Sequence, residues 1–251
     1  MELAATMRRL WKLSWLELKI FVREPLGFVG SIGVPVVLSL ALASVSRPGL
    51  AAGVARGSGQ GLPAFSPVIT AMSAVISLVT IISIYRESGI LKRLRATPLG
   101  PIVILSAHVM VKIAMTAATL VVIGVVGRPF YAAEPMFSFL SFGAAVVFTT
   151  WSILSIGFVI ASVVPTARLA QLFAALIMYP QVALSGAFYP VELMPAPAAA
   201  FVRKLPLTAA ASLLDGVWRG EGWVAHRSDV TTLIVTFLVC TAVSSKIFRW
   251  E

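Results

Sequence analysis

Six apolar runs constrain this chain more than any other feature: residues 26–45, 64–84, 102–126, 136–164, 169–188 and 230–248. A helix needs about 20 mostly apolar residues to cross the hydrocarbon of a bilayer, and each run is long enough. The expected fold is therefore an all-α integral membrane protein with six spans in one transmembrane domain over residues 1–251. The run 136–164 exceeds what a crossing needs and is expected to tilt or to extend past the membrane. Composition points the same way. Apolar residues make up 59% of the chain and charged ones 12%, against roughly 25% charged in an average soluble domain. Mean hydropathy is +0.95 for 26.7 kDa. A soluble domain of that size leaves too much surface exposed to hide so many apolar side chains. Disorder, a disulfide scaffold and a soluble enzyme are excluded as readings of the whole chain. The single cysteine, Cys240, sits in the last run and reads as a small hydrophobe.

Net charge is +10, which in a soluble protein would raise nucleic-acid binding. Here the placement of the charge is more informative, and no nucleic-acid partner is expected. With six spans both termini share one side. The loops on that side hold twelve basic residues: Arg8, Arg9, Lys12, Lys19, Arg23, Arg86, Lys92, Arg93, Arg95, Arg168, Lys246 and Arg249. The opposite loops hold seven, and Lys112, inside the third run, is counted with neither set. The positive-inside rule places the richer side, with both termini, in the cytoplasm.

The N-terminal segment lacks the layout of a cleaved signal. On a helical wheel Leu3, Met7, Leu10, Trp11, Trp15, Leu18, Phe21 and Val22 form one apolar stripe, with Arg8, Lys12, Lys19 and Arg23 beside it. This predicts an amphipathic helix in the cytoplasmic interface, with Trp at headgroup depth. Leu13, Leu16 and Ile20 fall off the stripe, so a membrane anchor and a protein-contact surface are both open readings. Glu24-Pro25 ends the helix, because a residue before proline is pushed out of the helical region.

Catalytic groups are scarce. His108 and His226 fall on opposite sides of the expected topology, and neither has Cys, Asp or Glu at metal-ligand spacing. No Asp or Glu lies within a run, and no nucleophile stands near a base, so no catalysis and no cofactor or metal site are expected on this chain. Lys112 is expected to lie about one turn inside the third span and to snorkel back to the interface, in preference to acting as a buried functional charge. Gly57-Ser-Gly-Gln-Gly61 lacks the Gly-Lys-Ser/Thr of a phosphate loop and leads into Leu62-Pro63, so it reads as a flexible outer loop.

Two segments outside the spans are too patterned for plain loops. In Tyr85–Pro101, Ile90, Leu91 and Leu94 can share one side of a short helix with Lys92, Arg93 and Arg95 beside them, and Pro98 stops it. Anionic lipid or a protein groove would each suit that helix. Between the last two spans, two apolar pieces, 196–201 and 207–218, are too short to cross. They are expected to form short helices dipping into the outer leaflet or packed on the spans, either as a plain lid or as a gate.

Together these segments resemble the membrane subunits of ATP-binding-cassette exporters of the type-2 (ABC-2 type) permease family, with the drug and antibiotic export branch as the nearest match. Glu87-Ser-Gly-Ile-Leu-Lys-Arg-Leu-Arg-Ala-Thr-Pro-Leu99 is similar to that family's first cytoplasmic loop. Phe188-Tyr-Pro-Val-Glu-Leu-Met-Pro195, followed by Leu205-Pro-Leu-Thr208 and Gly216-Val-Trp-Arg219, is similar to its outer segment. The Ala-rich run 196–200 is blander than the family's usual outer helix. The order of elements also matches over essentially the whole chain.

The resemblance implies a division of labour. ATP and magnesium would be held by a separate cassette ATPase, two copies of which would close beneath a pair of permease chains, identical or related. Residues 86–97 would act as the coupling helix in the ATPase groove, with Arg86, Glu87, Gly89, Ile90, Leu91, Arg93 and Leu94 as its candidate residues. The pathway would lie at the permease pair's interface, lined mainly by the second and fifth spans. Along the fifth, Phe173, Ile177, Gln181, Leu184 and Phe188 share a face. That stripe suits hydrophobic or amphiphilic cargo such as a drug, antibiotic or lipid, and is also what ordinary helix packing produces. Tyr189, Pro190, Glu192 and Pro195 mark the candidate outer gate. A bacterial inner-membrane efflux permease is the leading expectation; a polysaccharide or glycolipid exporter of the same family, and a non-transporting membrane scaffold, are the alternatives.

Overall fold

The structure, a computed structural model, describes residues 2–23, 29–45, 62–90, 100–126, 138–186 and 191–247. Among them are α1 (Glu2–Arg23), a π-helical turn (Val29–Gly33) running into α2 (Val34–Val45), α3 (Leu62–Glu87), α4 (Gly100–Val126) and α5 (Phe139–Val163). Next come α6 (Ala167–Leu184), a 3₁₀ turn (Val191–Leu193), α7 (Ala196–Val202), α8 (Pro206–Trp218) and α9 (Arg227–Ile247). The described residues contain no strand, in line with the all-α expectation.

Four stretches are long and apolar enough to cross a membrane: Ser106–Ile123, Leu140–Val163, Ala167–Leu184 and Arg227–Ile247. They fall on the expected runs 102–126, 136–164, 169–188 and 230–248. The run 64–84 lies within α3, whose 26 residues exceed the roughly 20 a crossing takes. In the run 26–45, the described part is a π-helical turn followed by the 12-residue α2, not one uninterrupted α-helix. The run 169–188 stops being helical at Leu184, because the Ser185 hydroxyl donates back to the Val182 carbonyl at 2.7 Å and Gly186 takes φ 85°. A left-handed glycine is a common helix terminator.

α3 is the hub. Val68, Ala71, Val75, Leu78 and Ile82 recur every three to four residues and are buried, as are Ala74 and Val79 on adjoining faces. The helix touches α2, α4, α5, α6 and α8. Small residues let its neighbours come close, as is usual where lipid offers no hydrophobic drive for helix pairing. α6 turns Ala170, Ala174, Met178 and Val182 inward. On α5, Gly157 faces α3 so closely that a Cβ there would lie 3.3 Å from a Val79 methyl. Hydroxyls inside the bundle bond to carbonyls of their own helices: Thr119 to Met115, Thr149 to Ala145, Ser155 to Ser152 and Ser162 to Phe158. That removes the penalty of an unpaired polar group in an apolar medium.

α1 lies against α4. Its predicted stripe divides between two environments: Leu10 and Leu18 are half-buried, whereas Trp11, Trp15 and Val22 remain exposed. Off the stripe, Ser14 is buried and Leu13 and Glu17 are half-buried. Glu17 pairs with His108 Nδ1, which pins the helix to α4. The Lys19 ammonium stands 5.5 Å from the Trp15 ring centroid, within cation–π range. One side of this helix thus meets its own chain, through Ser14 and Glu17, while Leu16 stays exposed.

Both short helices expected between the last spans are present. α7 is largely exposed, and only Val202 is buried. α8 packs into the bundle against α3, α5, α6 and α9, with Leu207, Ala210, Leu213, Leu214 and Val217 buried. Pro206 starts it at a position where a missing N–H costs nothing. The turn into α9 is braced by His226, whose Nε2 meets Glu221 Oε2 at 2.8 Å and whose Nδ1 meets Asp229 Oδ2 at 3.0 Å. Asp229 also accepts from Ser212 Oγ on α8 at 2.8 Å, and the Trp223 indole donates to Ser141 Oγ on α5 at 2.9 Å.

This brace depends on a bare Cα at Gly216, where an added Cβ would fall 1.8 Å from His226 Nε2. Gly216→Ala is expected to drive the imidazole from between its two carboxylates and to destabilise the α8–α9 joint by about 1–3 kcal/mol. Thermal unfolding in detergent checks this; an unchanged melting temperature would mean that the ring is not held there.

Candidate functional site

The candidate coupling segment begins where α3 ends. Ser88 N donates to Ile84 O at 2.9 Å, Gly89 N donates to Arg86 O at 3.0 Å, and Gly89 adopts φ 69°. Gly89 is therefore the left-handed residue that turns the chain out of α3, a conformation with a steric penalty for any Cβ. Ile90 is half-buried; Leu91, Arg93 and Leu94 lie outside the described residues.

Arg86 and Glu87, adjacent in sequence, engage two different helix ends. Arg86 Nη1 donates to Ala161 O at 2.7 Å and Ser162 O at 3.1 Å, in the last turn of α5. Glu87 Oε2 accepts from Ala167 N at 2.9 Å, the first residue of α6. A helix leaves its last carbonyls and first N–H groups unpaired, and its dipole makes the C-terminal end negative and the N-terminal end positive. Each side chain therefore meets the end that its charge suits, worth about 0.3–1 kcal/mol at an exposed site and up to ~2 when partly buried. Burial pushes the Arg86 pKa down and the neighbouring Glu87 pushes it back up; a guanidinium stays charged under such shifts.

The corner between these helix ends is short and self-braced. Val164 is buried and its N–H donates to Ile160 O at 3.1 Å, while Thr166 caps α6 by accepting from Leu169 N at 3.4 Å. Nearby, Gln171 Nε2 donates to Thr80 Oγ1 at 3.1 Å, linking α6 to α3. Ser162 and Ser244 hydroxyls meet at 3.0 Å, linking α5 to α9.

A second polar seam lies between α1, α3 and α4. Besides the Glu17–His108 pair, the Tyr85 and His108 rings stand 5.4 Å apart. Lys112 is 6% exposed and its ammonium donates to Ser77 Oγ on α3 at 2.5 Å. The snorkelling expected of Lys112 is thus corrected: the side chain turns inward to α3, because Ser77 offers an acceptor within its reach.

On α6, Phe173, Ile177 and Leu184 are 45%, 37% and 36% exposed, beside the inward stripe of Ala170, Ala174, Met178 and Val182. Gln181 is half-buried among them, its amide 3.5 Å from Ile177 O. The candidate lining is therefore a face that the described residues of this chain leave open. Phe188, Tyr189 and Pro190 lie outside the described residues; Glu192 falls in the 3₁₀ turn, and Pro195 is an exposed residue capping α7.

Sequence spacing missed the backbone partners of Arg86 and Glu87, which lie about 80 positions away. It also missed the two carboxylates on His226, although Asp229 stands three residues on, one helical turn away. Among the described residues no three His, Cys, Asp or Glu side chains converge to hold a metal ion.

Beside that histidine, Asp215 pairs with Arg219 at 2.7 Å. Burial raises the Asp215 pKa to about 6, with Glu221 adding to the rise and Arg219 and His226 opposing it. Its folded pKa lies above its unfolded one, so the folded state binds the proton more tightly. Stability contributed by this group is therefore greatest below about pH 4 and falls as pH rises towards 6, by at most about 3 kcal/mol. Asp215→Asn is expected to flatten that part of the stability–pH curve. Denaturation in detergent between pH 4 and pH 7 measures it, and an identical slope in the variant would contradict it.

These features belong to a helical membrane protein whose inter-helix contacts are mostly apolar, with a few polar ties between helices. No curated protein matches the chain at significant similarity. The family described as ABC-2 type transporter matches residues 8–217, most of the 251-residue chain. The chain belongs to the ABC-2 type transporter family, as a membrane permease component of an ABC transporter.

Proposed function

We propose that this permease exports a hydrophobic or amphiphilic cargo, such as a drug, antibiotic or lipid, powered by a separate cassette ATPase that binds ATP and magnesium. The family match over residues 8–217 carries the reading. In it, the chain crosses a bacterial inner membrane six times with both termini cytoplasmic, and two permease chains stand above two ATPases. Residues 86–97 enter the ATPase groove, Ile90, Leu91 and Leu94 supplying the apolar edge that a helix-in-groove contact needs. The open face of Phe173, Ile177 and Leu184 supports an apolar cargo, since pockets for such molecules are lined mainly by apolar and aromatic groups. The many basic residues near the Arg86 end of the bundle support placing that end in the cytoplasm.

Replacing the loop's apolar edge with charge tests the reading. Ile90→Asp combined with Leu94→Asp is expected to weaken ATPase binding about tenfold or more, the scale of losing buried anchors at an interface. Retention of the ATPase on the tagged permease and cargo-stimulated ATP turnover in proteoliposomes are the readouts. A double variant that keeps both would contradict the coupling role.

A further inference from the structure

Several features of the molecule are already accounted for by packing or by the bilayer. The apolar groove on α5 around Gly143, Ala144 and Val147 lies on a stretch long and apolar enough to cross a membrane, where a bilayer would cover it. The His226 cluster has its ring nitrogens and carboxylates engaged with one another. The end of α3 is different, because its two charged side chains bind backbone atoms of two other helices at a single corner.

We propose that Arg86 and Glu87 are a positioning pair that transmits displacement of the loop after α3 to the α5–α6 corner, and through it to the open face of α6. The inference rests on the reading of that loop as the ATPase contact. Both ties are to main-chain atoms, Ala161 O and Ser162 O on one side and Ala167 N on the other. A side-chain contact can be lost by a rotamer change in the partner, whereas a main-chain contact moves only with its helix. Opposite charges on the two ends mean that the pair holds the exit of α5 and the entry of α6 at once.

The corner is fit to move as a unit. Its connection, residues 164–166, is braced by the Val164–Ile160 bond and the Thr166 cap. Beyond it, α6 rests on the bundle through Ala170, Ala174, Met178 and Val182, a row in which two of the four side chains are single methyls. Such a row lets α6 lie close against the bundle, and a helix moves as one rigid element, so a small tilt set at Ala167 carries along it. The same helix presents Phe173 and Ile177 one to three turns further on. Gln171–Thr80 adds a second tie to α3 close to the corner, and Ser162–Ser244 extends it to α9. Gly89, directly after the pair, turns the chain out of α3 in a left-handed conformation, so movement of the loop is applied at the last turn of α3.

The test uses the full-length permease purified with its ATPase and reconstituted in lipid. A nitroxide at Leu172→Cys in a Cys240→Ser background reports on α6 from an exposed position. Its spectrum is compared without nucleotide and with ATP plus vanadate. The unmodified junction is expected to give a nucleotide-dependent spectral change. Glu87→Ala and Arg86→Ala are expected to lose it in complexes that still contain the ATPase. Glu87→Gln, which keeps the acceptor oxygen but not the charge, is expected to keep part of it and guards against a variant that fails to fold. Ser244→Ala removes a neighbouring tie without touching the pair and is expected to keep the change, which separates positioning from general loosening. A full response in Glu87→Ala and Arg86→Ala overturns the inference, as does a silent probe in an unmodified complex that holds its ATPase; both leave the permease reading standing. Absence of any ATPase from the purified chain fails the permease reading, and the inference with it.

Discussion

Helices in a bilayer gain little from simply hiding apolar surface, because lipid is as apolar as leucine, so close packing and a few polar ties must hold them together. α3 shows what this demands. Its sides are sealed by α2, α4, α5, α6 and α8, and its buried residues include small ones on both sides of the contact. Four polar side chains along it meet neighbours: Ser77 with Lys112, Thr80 with Gln171, and at its end Arg86 and Glu87 with two helix termini. The arrangement of the bundle around α3 depends on those few ties more than a water-soluble core of the same size would.

The ties also divide the molecule into two ends. At one, α3, α5, α6 and α9 meet through Arg86, Glu87 and the Ser162–Ser244 pair, with α1 held close by through Glu17 and His108. At the other, α8 plugs into the bundle and is joined to α9 and α5 through Ser212, Asp229, His226, Trp223 and Ser141.

Much of the fold was legible in the residues, and the misses share a cause. Long apolar runs marked α4, α5, α6 and α9 because crossing a membrane is a local requirement of length and hydropathy. The short pieces after Pro195 and Leu205 read as helices for the same reason, being too apolar for a loop and too short for a span. Periodicity also found the amphipathic α1 but could not tell which part of its apolar stripe meets protein. Trp11 and Trp15 differ from Leu10 in environment only because α4 lies on one side of the helix. Lys112 was misjudged because its inward partner, Ser77, belongs to another helix. At the candidate site, the partners of the two charged side chains were hidden. Glu87 and Arg86 were singled out within a recurring pattern, but a backbone amide carries no signature that could announce Ala167 as a partner. The end of α6 at Leu184 was missed because the residues beyond it stay apolar, while Ser185 and Gly186 stop the helix by local geometry.

The central claim is that this permease works as one part of an ATP-driven machine whose nucleotide chemistry lies on another chain. The most direct measurement is affinity purification of the tagged chain from its native membrane in mild detergent, with mass spectrometry and ATP turnover on the eluate. A stoichiometric cassette ATPase accompanied by magnesium-dependent turnover is the predicted result. A folded, monodisperse chain recovered alone, with no ATPase and no turnover, would contradict it.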